Sequence, residues 1–113
     1  RVALVRTLAT SPSIVLLDEP FSALDYQNKV KLEELVFHLF KKLNTTALLV
    51  THDIEEAVAM CDRVITLTNV PTKISKIFTL PEELRNDSPF EARQQSLFPS
   101  YVSSIWKELE KRE

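Results

Sequence analysis

Two short apolar runs set the strongest limit on what this chain can become. Ile14-Val15-Leu16-Leu17 and Ala47-Leu48-Leu49-Val50 show no alternation of apolar and polar residues, which is the pattern of strands buried on both faces, as in a parallel sheet. Between them, from Asp25 to Leu43, Leu32, Leu35, Val36, Leu39 and Leu43 recur at helical spacing, with Gln27, Lys31, Glu34, His38 and Lys41 on the opposite side. This predicts a long amphipathic helix packed through its apolar stripe. Strand, helix and strand in that order make a βαβ unit with a right-handed crossover. Asp18-Glu19 and Thr51-His52-Asp53 follow the two runs directly, so both polar clusters fall at the C-terminal ends of parallel strands, where open α/β sheets bind ligands.

The flanking segments are ordinary by comparison. Val2, Val5, Leu8 and Ala9 predict an opening helix that stops near Ser11-Pro12-Ser13, since a proline disfavours helix in the residue before it. That opening resembles neither an initiator sequence nor a signal peptide, and it reads as the interior of a longer chain whose C-terminal portion this is. Ile54, Ala57, Val58 and Cys61 mark one face of a short helix. Arg63 to Thr68 and Lys73 to Leu80, joined through Asn69 and Pro71, predict two antiparallel edge strands whose lysines discourage further pairing. Ser88-Pro89-Phe90-Glu91 has capping-box spacing with proline at the first helical position. Pro99 should kink or restart that helix, and Tyr101, Val102, Ile105 and Leu109 carry an apolar stripe toward the end.

Composition narrows the function classes. With 113 residues the chain is one modest domain or a piece of a larger one. A net charge of -2 makes no electrostatic case for nucleic acid. A single cysteine, Cys61, can form neither an internal disulfide nor a cysteine metal cluster; Met60-Cys61 reads as packing at a helix end. No apolar segment approaches the ~20 residues that span a bilayer. Trp106 and Tyr101 read as core or partner contacts, His38 as solvated, and Lys107 to Glu113 as a solvated mixed-charge tail. Glycine is absent altogether, where average usage would put roughly eight in this length.

A hydrophobic strand that ends in adjacent carboxylates suits nucleotide hydrolysis. The aspartate, Asp18, can hold Mg²⁺ directly or through water, while Glu19 polarises the attacking water as general base. The pair by itself also fits a plainer role, negative charge placed at a helix N-terminus. Three signals in order separate the two: Leu16-Leu17-Asp18-Glu19-Pro20, then Ser22-Ala23-Leu24-Asp25, then an apolar strand ending in Thr51-His52-Asp53. Together they resemble the Walker B, D-loop and H-loop motifs of ATP-binding cassette (ABC) ATPases, and the resemblance covers about residues 1 to 80.

That resemblance implies an α/β chain with a partial P-loop NTPase fold: parallel core strands with helices, antiparallel edge strands and a C-terminal helical segment. Residues 1–80 would be the C-terminal part of the ATPase domain and 81–113 a helical extension. It implies Glu19 and His52 as catalytic residues, His52 through the γ-phosphate; Asp18 as the Mg²⁺ ligand; and Asp18, Ser22 and Asp25 as nucleotide-site residues, the last two in a loop that communicates across a dimer. ATP and Mg²⁺ would be the cofactors. The partners would be a second ATPase subunit, integral membrane permease subunits and, indirectly, an extracytoplasmic solute-binding protein, with the subunit cytoplasmic at the inner membrane face. Asp62 to Ile74 looks like importer ATPases of the nitrate, sulfonate and taurine type.

The chain departs from that family in lacking the glycine-rich phosphate loop, the signature motif, the glutamine loop and the adenine-stacking aromatic. Backbone N–H groups of such loops supply much of the phosphate affinity, so this stretch by itself is expected neither to bind nor to hydrolyse ATP. Open strand edges and apolar surface should also make it self-associate. Two other readings stand beside the transporter: the ATPase head of a DNA-repair or chromosome-maintenance protein, and a non-catalytic interaction module. Helicases of the Asp-Glu-Ala-Asp type are disfavoured by Pro20.

Overall fold

The computed structural model describes residues 14–67 and 72–111. The expected opening helix and the Asn69–Pro71 turn lie outside the described residues. Elements run in the order β1 (Ile14–Asp18), α1 (Tyr26–Leu43), β2 (Thr46–Val50), α2 (Ile54–Met60), β3 (Arg63–Leu67), β4 (Ile74–Thr79), α3 (Glu82–Arg85), α4 (Pro89–Gln94) and α5 (Leu97–Glu110). They divide into two compact units between His52 and Asp53.

The first unit is the βαβ arrangement. β1 and β2 pair in parallel, in register from Ile14 opposite Thr46 to Asp18 opposite Val50. Asp25 starts α1, its carboxylate accepting the backbone N–H of Asn28 at 2.9 Å. Asn44 ends it in the left-handed conformation, φ 53°, a state that asparagine tolerates better than most residues. Val15, Leu17, Phe21 and Val36 are buried apolar side chains of this unit.

Two expectations change here. β1 alternates buried and exposed rather than being buried on both faces, and in β2 no residue is fully buried. Leu16 is 63% exposed and Leu48, opposite it, 54%. Burial on both faces of a sheet needs a layer on each side, and among the described residues this two-stranded sheet belongs to a unit with one helix. On α1 the buried face centres on Glu33 and Val36, while Leu35 and Leu43 are exposed. A hydrophobic stripe marks the average direction of a helix face; the packing partner selects which residues of it are covered.

The second unit builds its core around the antiparallel pair. β3 and β4 pair from Arg63 opposite Thr79 to Leu67 opposite Ile74, with an irregularity at Thr66/Leu67. Val58 and Ala59 of α2, Val64, Phe78, Leu84, Ala92, Phe98 and Ile105 form one buried cluster. Helices α3 to α5 therefore share their core with the hairpin. Ser88 caps α4 through a full capping box with Glu91, as its spacing predicts. The chain restarts at Leu97, with Pro99 in the first turn of α5, where a missing N–H leaves no helix bond unmade.

Over the described residues 107–111, the last helix corrects the reading of a solvated tail from Lys107 onward. α5 continues to Glu110, Leu109 packs against the core, and Glu108 accepts a 2.6 Å hydrogen bond from the Ser75 hydroxyl of β4. Trp106, on the other hand, is 57% exposed. Among the described residues no helix is long and apolar enough to cross a membrane.

Candidate active site

Of the site residues expected from the sequence, Asp18, Glu19 and His52 fall at one end of the β1–β2 pair. Parallel pairing in register ends with Asp18 opposite Val50. The ladder then takes one more step, the Glu19 N–H donating to the Val50 carbonyl at 2.8 Å. Position 19 thus sits beside the segment that carries His52. A one-residue slip in register would send each side chain of β1 to the other face, so the pairing itself places the two groups together.

Their contact is direct. The backbone N–H of His52 donates to Glu19 Oε1 at 2.9 Å, and His52 Nδ1 lies 2.8 Å from the same oxygen. An ionised carboxylate only accepts hydrogen bonds, so Nδ1 carries the proton of this bond and Nε2 is the ring nitrogen directed elsewhere. Neither bond engages Oε2. The Glu19 side chain is 32% exposed and that of His52 83%, leaving the histidine open to solvent and the carboxylate half covered.

Glu19 is also held in an unusual backbone state. Its φ is 48°, the left-handed region that costs a non-glycine residue about 1–3 kcal/mol and that gathers at functional sites. Ser22 closes the turn that follows: its hydroxyl donates to the Glu19 carbonyl at 3.1 Å and its N–H reaches the same oxygen at 3.4 Å. Pro20 suits the second position of such a turn, and Phe21, 1% exposed, anchors the third. The proline and serine spacing carried this signal in the sequence, while the strain at Glu19 had no local marker.

Asp18 and Asp25 occupy different situations. Asp18 is exposed at the end of β1. Asp25 is committed to its helix, accepting from Asn28 N–H and from Asn28 Nδ2 at 3.2 Å. Asp53 caps α2 in the same way, through the Glu56 N–H. His38 stands apart on α1, 3.4 Å from Glu34 and edge-on to Phe37. Cys61 packs against the core of the second unit, and burial, with the charges of Asp62 and Glu56, pushes its thiol up to about 12. It is therefore no nucleophile at neutral pH.

Sequence comparison gives this geometry a context. No family model matches the chain. An uncharacterized ABC transporter ATP-binding protein of Bacillus subtilis, YtlC, is 55% identical over 109 residues, covering 96% of this chain and 42% of the relative. The nitrate import ATP-binding protein NrtD of Synechocystis is 35% identical over 117 residues, 100% of this chain and 44% of the relative. The taurine import ATP-binding protein TauB of Roseobacter denitrificans is 42% identical over 81 residues, 72% of this chain and 30% of the relative. The chain spans less than half the length of each of these relatives.

Proposed function

We infer from 55% and 35% identity to ABC transporter ATP-binding proteins that the chain belongs to that family, and we propose that it carries the water-activating side of an ATPase that powers a solute importer. The observation that carries this reading is the Glu19–His52 pair at the C-terminal ends of two parallel strands. Glu19 is the general base: Oε2, outside both histidine bonds, takes the proton of the attacking water. His52 orients that carboxylate through Nδ1 and the backbone N–H, and directs Nε2 toward the γ-phosphate. With Nδ1–H already given to Glu19, Nε2 can donate to a phosphate oxygen only from the imidazolium form.

Asp18 is the metal residue. Among the described residues no three His, Cys, Asp or Glu side chains gather into a metal cage. One exposed carboxylate nevertheless suits Mg²⁺, which binds through one or two carboxylates with water and substrate phosphates completing the shell. Mg²⁺ held there would neutralise charge on the phosphate oxygens. Ser22 and Asp25 belong to the loop that faces a second ATPase subunit, and permease subunits anchor the assembly at the inner face of the membrane. Nitrate and taurine, named for two of the relatives, point to a small anionic or zwitterionic solute.

In a full-length protein with this sequence, Glu19→Gln should abolish turnover while ATP binding persists; unchanged hydrolysis would remove Glu19 from the base role. The 113 residues alone should not bind Mg-ATP, because no glycine loop is present to cradle phosphate. Micromolar binding by calorimetry would refute that.

A further inference from the structure

We propose that the sheet itself seats the general base: the Glu19 carboxylate has displaced the residue's own carbonyl as acceptor at the end of the β1–β2 ladder, and the left-handed backbone at position 19 is the geometry of that exchange. Such a seat selects a side chain of glutamate length, a consequence for turnover that rests on Glu19 being the base.

The exchange is visible in the hydrogen bonds. In a parallel pair, a residue donates its N–H to one carbonyl of the neighbouring strand and offers its own carbonyl to the N–H two residues further along that strand. Glu19 makes the first of these bonds, to the Val50 carbonyl at 2.8 Å. The second would engage the N–H of His52, which goes instead to Glu19 Oε1 at 2.9 Å. The Glu19 carbonyl has turned out of the ladder and accepts the Ser22 hydroxyl at 3.1 Å and the Ser22 N–H at 3.4 Å.

Stereochemistry connects this swap to φ. Cβ and the carbonyl carbon are tetrahedral substituents of Cα, about a third of a turn apart around the N–Cα bond in the sense that L chirality fixes. At φ 48° the Cβ of Glu19 therefore takes a direction that the carbonyl carbon has in an extended residue, and the side chain continues the strand in place of the main chain. The carboxylate is the better acceptor, since hydrogen bonds to an ionised group are roughly twice as strong as neutral ones. Oε1 also takes the Nδ1 proton of His52 at 2.8 Å. Together the two bonds hold a backbone state that a residue with a Cβ otherwise avoids. An aspartate would fall one methylene short of the same donors.

The test compares Glu19→Gln, Glu19→Ala and Glu19→Asp in the full-length protein, by nucleotide-free crystal structures beside steady-state hydrolysis. Glu19→Gln should keep a positive φ at position 19, with its amide oxygen on the His52 N–H. Glu19→Ala has no competing oxygen, so φ should return to negative values and the carbonyl of residue 19 should take up that N–H. Glu19→Asp should relax in the same way and, although it keeps a carboxylate, lose about 100-fold in kcat with KM for ATP unchanged, the scale of a misplaced catalytic group.

A left-handed residue 19 in Glu19→Ala, or in Glu19→Asp if the alanine variant does not fold, would overturn the exchange, because the turn after β1 would then set the backbone by itself. Near-normal kcat in Glu19→Asp would overturn the length requirement. Full turnover by Glu19→Gln beside a relaxed backbone in Glu19→Ala would remove the base assignment and leave the seat standing.

Discussion

Glu19 and His52, 33 positions apart, meet through one carboxylate oxygen: Oε1 accepts both the backbone N–H and the Nδ1 proton of the histidine. The ring bond alone would disappear in His52→Ala, whereas the backbone bond would remain. In the full-length protein this variant should therefore keep nucleotide binding and lose about 10²–10³ in kcat, the scale of removing one donor to transition-state charge. His52→Gln, which can still donate a side-chain hydrogen bond, should fall between. Single-turnover kinetics beside equilibrium ATP binding would check both, and parallel losses of binding and turnover would argue against the assignment.

Asp25 separates a local role from one across a dimer. Its carboxylate caps α1 through Asn28, and removing such a cap costs about 1 kcal/mol. Asp25→Ala should lower the thermal midpoint by a few degrees, whereas Asp25→Asn, itself a good cap, should not. If Asp25→Asn nevertheless reduces turnover, the carboxylate has a second task beyond capping. Paired melting and hydrolysis measurements distinguish the two.

The Ser75–Glu108 bond makes the fastening of α5 on β4 sensitive to acid. The Ser75 hydroxyl, helped by Lys111 and Lys76, holds the Glu108 carboxyl below its ordinary value of 4.5. A lowered native value contributes stability that is fully present above 4.5 and is lost as pH falls through the lowered native value. Ser75→Ala should remove the largest of these causes. The difference in melting temperature between the two proteins should be constant near neutrality and shrink below about pH 4. A difference that persists unchanged at lower pH would mean the hydroxyl acts through packing.

Cys61 should be close to inert. With its thiol at about 12, the thiolate fraction near pH 8 is on the order of 10³-fold below that of a group with an ordinary value. Alkylation in native buffer should be slow and should accelerate sharply in denaturant. Rapid native labelling would show that the end of α2 opens easily.

The exposed apolar face of the β1–β2 pair should drive association of the isolated chain. Leu16 and Leu48 lie opposite each other and are both more than half exposed. Light scattering should report species larger than a monomer, and Leu48→Lys should shift them toward the monomer. A monodisperse unsubstituted monomer would count against this.

Local chemistry in the sequence was enough to place most of the described elements in order, though not α3, Glu82–Arg85, which no periodic pattern marked. The βαβ run, the antiparallel pair, the Asp25 cap and the Ser88–Glu91 capping box depend on residues within a few positions of one another, where periodicity and capping operate. The strand ends also marked Asp18, Glu19 and His52 as candidates. Tertiary structure decided what depends on distant partners. Leu16 and Leu48 are equally apolar whether or not a layer covers them, and Glu33 is buried where the helical stripe suggested leucines. Glu108 is fastened by Ser75, 33 residues away. Above all, the bond from Glu19 to His52 follows from strand register, and the φ of 48° at Glu19 accompanies it at the strand end. These are properties of two chain segments brought side by side, and no single segment encodes them.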